Sequence, residues 1–233
     1  MNAFTSQLTR EITQIRFRPT LGWFNHRADV AHLVESSYEE WRSDKRGNIA
    51  LYSPNKKEAL EIFTDHITHL RESSFDSDNN FEHPSILVKS MVKKFEISEI
   101  RRVGFRTTNV FSCEFEFEEI VDILYRTLYK IDPENSPQEG RLLDLVFVLD
   151  TLNDNGVKIH SQIGAIKKDE GKKKFITKFG EPISLENDKN IFIDIDVSIS
   201  SLESPIVEKE NLMSIQKKAI TTLDNYLELL FED

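Results

Sequence analysis

The chain has 233 residues, 39% of them apolar and 30% charged, which is enough for a packed interior beneath a solvated surface. Forty acidic residues against 30 basic ones give a formal charge of -10, a field that repels phosphate backbones and anionic membranes unless the bases are segregated. Nonspecific binding to nucleic acid or membrane is therefore disfavoured, and a protein partner is the expectation.

Residues 11–18 alternate imperfectly and stop at Pro19, which predicts a first strand. Beyond Gly22, residues Val30, Leu33, Val34, Tyr38 and Trp41 fall at helical spacing, predicting a helix over 25–42 capped by Asn25. A short strand is predicted over 48–53. Over 56–70, Leu60, Phe63, Ile67 and Leu70 favour a helix, with an extended continuation left open by the β-branched and aromatic residues. A polar loop over 73–80 precedes a helix over 85–95, with Pro84 suited to its first turn.

Residues 97–115 follow a two-residue period. Val103, Phe105, Thr107, Asn109 and Phe111 share one face, and Arg102, Gly104, Arg106, Thr108 and Val110 share the other, so Arg106 points away from the core. Helical spacing returns over 117–129, and 131–140 is a linker or long loop. The second part is strand-rich: an apolar strand over 142–149, a turn at Asn153-Asp-Asn-Gly156, and its hairpin mate over 157–167. Lys168 to Lys174 is expected as a charged hairpin tip leading into 175–179.

Residues 191–200 alternate almost strictly, with Ile191, Ile193, Ile195, Val197 and Ile199 inward. A long helix over 207–230 closes the chain. The expected fold is α+β: a mostly antiparallel sheet packed by helices, ending in a long C-terminal helix. It forms a single domain over 1–233, with an N-terminal half over 1–130 and a strand-rich half over 141–233 as the alternative. No short internal repeat is visible.

Cys113 is the single cysteine, so neither an intramolecular disulfide nor a thiol zinc cluster is available, which fits a reducing cytoplasm. No basic leader with an apolar run opens the chain, and no stretch has the length of a membrane span. Asp194 and Asp196 stand on one strand face, roughly 7 Å apart at about 3.3 Å per residue, a spacing that suits a divalent metal or an acid and base pair. A solvated sheet face is the simpler reading. His66 and His69 with Asp65 fit a surface helix better than a metal site, because His-Glu-x-x-His is absent.

A Cys113–His160 pairing has no glycine-rich nucleophile turn to support it, and Cys113 fits a small buried residue. Walker, Gly-x-Ser-x-Gly and Gly-x-Gly-x-x-Gly motifs are absent. Nothing points to a cofactor. Among the bases, Arg101, Arg102 and Arg106 form one group, and Lys167, Lys168, Lys172, Lys173 and Lys174 form another that suits phosphate contact or edge protection.

Arg102-Val-Gly-Phe-Arg-Thr-Thr-Asn109 resembles the central strand of a sporadically distributed, largely uncharacterised prokaryotic family with the pattern Arg-hydrophobic-Gly-Leu-Arg-Tyr-hydrophobic-Asn. Arg102, Gly104, Arg106 and Asn109 match; Phe105 stands for Leu and Thr107 for Tyr. The resemblance implies an α+β protein of prokaryotic cytoplasm, from a family whose patchy distribution suits mobile or defence-associated systems.

The expected function is a non-catalytic interaction or regulatory subunit of such a multicomponent system, binding another protein through sheet edges and charged loops. Arg102, Arg106, Asn109 and Lys172 to Lys174 are its candidate binding residues. The alternative is an enzyme or ligand-binding domain with a pocket between sheet and C-terminal helix. There Arg102 and Arg106 would take an anion, and Asp194 and Asp196 a metal or a proton. Nucleic-acid binding is expected only through the lysine cluster.

Overall fold

Two 14-residue strands, β1 (Phe4–Phe17) and β6 (Ile100–Cys113), pair antiparallel along nearly their full length. Around them a computed structural model, which describes residues 4–73, 82–130, 143–175, 179, 185, 187–202 and 209–231, builds one nine-stranded antiparallel sheet. The remaining strands are β2 (Glu40–Ser43), β3 (Ile49–Ser53), β4 (Glu58–Ile62), β5 (His66–Ser73), β7 (Val146–Leu152), β8 (Val157–Ile166) and β9 (Asn190–Leu202). Their order across the sheet is β2-β3-β4-β5-β1-β6-β9-β8-β7. The helices are α1 (Gly22–Ala31), α2 (Glu82–Lys94), α3 (Phe117–Leu124), α4 (Lys168–Lys174) and α5 (Lys209–Phe231).

The connectivity repeats. A long central strand, a helix, a meander returning from the sheet edge, and a second helix occur twice, as β1-α1-β2-β3-β4-β5-α2 and as β6-α3-β7-β8-β9-α5. Each meander ends against its own central strand, β5 on β1 and β9 on β6, and the two central strands join the halves. The halves differ in one respect that matters below: the first meander has four strands and the second three, with α4 inserted before β9.

One sheet face carries the main core. Ile15, Ile67, Val103, Phe105, Ile163 and the inward series Ile191, Ile193, Ile195 and Val197 pack with Trp23 and Val30 of α1, Leu87 and Met91 of α2, Ile120 and Leu124 of α3, and Leu212, Ile215 and Leu223 of α5. The strict alternation of β9 is what commits its isoleucines to this side. α3 starts at a capping box, in which the Glu116 side chain accepts from the backbone of Glu119 and the Glu119 side chain accepts from the backbone of Glu116. Among the described residues no helix crosses the centre of the other face; at one end, Phe175 packs with Leu8, Val110, Ile166 and Phe192, and α4 adjoins them through Gly171 and Lys174.

Several local expectations differ from the structure. Residues 58–62 and 66–73 are strands rather than a helix, because Leu60 and Ile67 fit an inward strand face as well as a helical stripe, Ile62 fits the strand face alone, and sheet pairing on both sides decides it. The first helix ends at Ala31, and Trp41 lies on the edge strand β2, exposed. Lys168 to Lys174 form α4 instead of a hairpin tip. Residues 74–80, 131–140 and 176–178, expected as loop, linker and strand, lie outside the described residues. Among the described residues no helix is long and apolar enough to cross a membrane.

Phe105 is buried at the centre of β6 beneath the helices. Phe105→Ala is expected to lower stability by about 3–5 kcal/mol, read from urea unfolding midpoints.

Candidate functional site

The even-numbered residues of β6 and β9 meet on the open face, and their pairing explains the Arg-x-Gly-x-Arg spacing. Arg106 lies opposite Asp196 in register and Thr108 opposite Asp194, yet Arg106 reaches Asp194, one same-face pair along, and Arg102, opposite Ser200, reaches past Gly104 and Ser198 to Asp196, two same-face pairs along. Arg102 Nη2 donates to both oxygens of Asp196, at 2.5 and 2.8 Å. Arg106 donates through Nε and Nη2 to both oxygens of Asp194, at 2.7 to 3.1 Å. The result is a diagonal ladder of two forked ion pairs.

Gly104 makes room for it. A β-carbon there would stand 2.6 Å from Arg102 Nη1, so the glycine lets the Arg102 guanidinium lie back over the strand. The two rungs differ in burial. The Asp194 side chain is only 4% exposed and also accepts from Thr108 Oγ1, whereas that of Asp196 is 29% exposed.

This arrangement settles what the two aspartates face. Each carboxylate is held by a guanidinium on its own sheet face, and among the described residues no group of three His, Cys, Asp or Glu is placed to hold a metal ion. α5 packs on the opposite face, so the arginines and aspartates do not line a space between sheet and C-terminal helix.

On the first half of the sheet Arg10 and Glu72 pair across β1 and β5 at 2.8 Å. A hollow of about 360 Å³ over the centre of the face is lined by Ile12, Gln14, Arg16, Arg102, Gly104, Arg106 and Asp196. A smaller one of about 150 Å³ adjoins it through Ile12 and Arg106, and Arg10, Lys174 and Asp194 also line it. Arg16 and Gln14 were not singled out from sequence; the signal available was their shared face on the strand before Pro19.

The other candidate residues are scattered. Asn109 is fully buried on the helix side, accepting from Thr9 Oγ1 at 3.0 Å and donating to Thr107 Oγ1 at 2.9 Å, so it ties β1 to β6 internally. Lys172, Lys173 and Lys174 are all exposed on α4, and Lys174 places its ammonium 3.5 Å from the Phe192 ring centroid. Only Lys174 joins the arginines.

Burial pushes the Cys113 thiol up, and its Sγ lies against Lys189 O. His160 pairs with Asp150 and stands opposite Asp196, seven residues further along β9 and roughly 23 Å away at about 3.3 Å per residue. Cys113 and His160 therefore do not meet.

A polar cluster missed from sequence lies between β4, β5 and α2. Glu58 Oε1 accepts from His69 Nε2 at 2.6 Å and from Tyr38 OH at 3.2 Å, and His83 Nδ1 is 3.7 Å away. Burial alone would raise the Glu58 carboxyl, but the hydrogen bonds and charges of His69 and His83 outweigh it and hold it well below the ordinary range. Burial, reinforced by the Glu58 charge and hydrogen bond, pushes the Tyr38 hydroxyl far up. The mistaken helix over 56–70 hid the cluster; on strand β5, His66 and His69 face opposite sides, and His66 stacks on Phe63.

The apolar feature of the second half is β7. Its outer edge pairs with no strand among the described residues, and Val146, Val148, Leu149 and Leu152 are all exposed, Leu152 to 73%. On the helix side a groove of about 250 Å³ runs between it and the end of α5.

Two outcomes follow from these environments. Asp194→Asn is expected to cost about 1–3 kcal/mol, because it removes the charge and replaces one accepting oxygen of a buried cluster with an NH2 that faces the Arg106 and Thr108 donors. Asp196→Asn, in a more solvated pair, is expected to cost below about 1 kcal/mol. Urea midpoints give the ordering.

The Glu58 carboxyl titrates lower folded than unfolded, so its contribution is complete above the ordinary glutamate pKa of about 4.3 and is lost as pH falls through the folded value. Glu58→Gln is therefore expected to shrink the fall in urea midpoint between about pH 6 and pH 3. No family model, no curated protein and no solved structure matches this chain.

Proposed function

We propose that the chain is a non-catalytic interaction or regulatory subunit that binds another protein by accepting a strand of that partner along β7. The observation that carries this reading is the apolar, exposed outer edge of β7, seven residues long. Edges of soluble sheets are ordinarily short, charged or covered, and an edge with this composition is a template for an added strand. The opposite edge has the protected character, since β2 is four residues long and carries Glu40 and Arg42.

An added strand would hydrogen-bond to β7 and turn alternate side chains toward the neighbouring groove, whose walls include Leu149, Ile159, Tyr226 and Leu229. The Asp194 and Asp196 pairs with arginine, and the distance from Cys113 to His160, support the non-catalytic part of the reading. The resemblance of the β6 motif to a sporadically distributed prokaryotic family supports placing the partner in a multicomponent prokaryotic system, with defence as its setting.

Affinity purification of the tagged chain from its native host, followed by mass spectrometry, is expected to recover a stoichiometric protein partner. The double variant Val148→Lys with Leu152→Lys is expected to reduce recovery by about tenfold or more. Both positions are exposed, so its circular dichroism and urea midpoint should match the parent. Recovery of the chain alone, or equal recovery by parent and variant, overturns the reading.

A further inference from the structure

We infer that the central hollow of the open face is a binding site for an anionic group of phosphate or carboxylate chemistry, seated among Arg16, Arg102 and Arg106. The inference is independent of β7, which lies at the far edge of the sheet.

The first ground is a like-charge pair. The β1–β6 register sets Arg16 directly opposite Arg102, Gln14 opposite Gly104, and Ile12 opposite Arg106. Like charges directly opposite on neighbouring strands are destabilising, and here only one of the two is neutralised. Arg102 has Asp196, whereas Arg16 donates its Nε only to the neutral Gln14 Oε1, at 2.6 Å. The terminal nitrogens of Arg16 engage no carboxylate among the described residues.

Gln14 is the second ground. Its Oε1 also accepts from Arg102 Nη1 at 3.4 Å, and its Nε2 donates to Thr68 Oγ1 at 3.2 Å. A carboxylate in this place would neutralise the arginine pair; the amide orients both guanidinium groups and leaves their charge available. Gln14 is thus a positioning residue.

Charge and size are the third. Three guanidinium groups and one carboxylate line the hollow, and Asp194 just outside it neutralises Arg106, which leaves an excess of one positive charge, that of Arg16, in a chain whose formal charge is -10. Its volume of about 360 Å³ falls in the range of small-ligand sites, about 300–1,000 Å³. Gly104 forms part of the lining and keeps the centre of the strand low. A guanidinium fork suits a planar or tetrahedral oxyanion, and the uncompensated charge of Arg16 favours an anion.

Calorimetric titration of the full chain at low ionic strength, with inorganic pyrophosphate and separately with succinate, tests the inference. Saturable binding at one site per chain is expected for one of the two, and which one binds separates the phosphate source from the carboxylate source. Arg16→Gln is expected to weaken that binding by about tenfold or more, with an unchanged urea midpoint because Arg16 is exposed.

Asp196→Asn removes the competing carboxylate and frees Arg102, so it is expected to tighten binding. Arg42→Gln, on β2 at the sheet edge, is expected to leave it unchanged. Failure of both probes to saturate, equal weakening by Arg16→Gln and Arg42→Gln, or loss of binding in Asp196→Asn each overturns the assignment.

Discussion

The antiparallel pairing of β1 with β6 is the interaction on which the rest of the molecule depends. It joins two halves of the same connectivity into one sheet, and its register decides which side chains meet on each face. On the helix side it brings Thr9 to Asn109 and Ile15 to Val103, so that the interior is stitched by a buried hydrogen bond as well as by packing. On the open side the same register aligns Arg16 with Arg102. Because side chains alternate along a strand, a slip of one residue would exchange the two faces. The buried Asn109 bond opposes such a slip, since leaving its polar groups unpaired would cost about 1–3 kcal/mol.

Much of the second half was legible in the sequence, for a physical reason: it is built from strands with one wet face and one dry face. The isoleucines of β9 alternate with polar residues, and the outward set contains both aspartates. The turn at Asn153 to Gly156 and the long terminal helix are also strong local signals. Over 56–70 the same method fails. Leu60, Phe63, Ile67 and Leu70 are three or four residues apart, and a strand break at Phe63 to Asp65 resets the alternation, so two short strands present a helical period. The lysines of α4 mimic a solvated tip because a seven-residue helix with only Gly171 buried has no stripe to detect.

The site was legible as a set of residues but not as an arrangement. That Arg102, Gly104 and Arg106 share a face with Asp194 and Asp196 follows from alternation within each strand only once β6 and β9 are known to be neighbours. Which acid each arginine takes depends on register, and the diagonal reach over Gly104 depends on the missing β-carbon. Asn109, the last residue of the same motif, serves the interior instead. A motif of alternating residues thus serves two separate purposes, one on each side of the sheet.

The duplication was invisible as sequence repetition, since only the order of strands and helices is shared. Its inequality has a consequence for stoichiometry. A molecule with two adhesive edges can join its neighbours head to tail without limit, as open heterologous contacts do. Here the four-strand meander ends in the short, charged β2 and the three-strand meander in the apolar β7. Among the described residues, growth by strand addition therefore has one apolar starting edge, so an assembly formed that way would close after a single step instead of extending into a fibre.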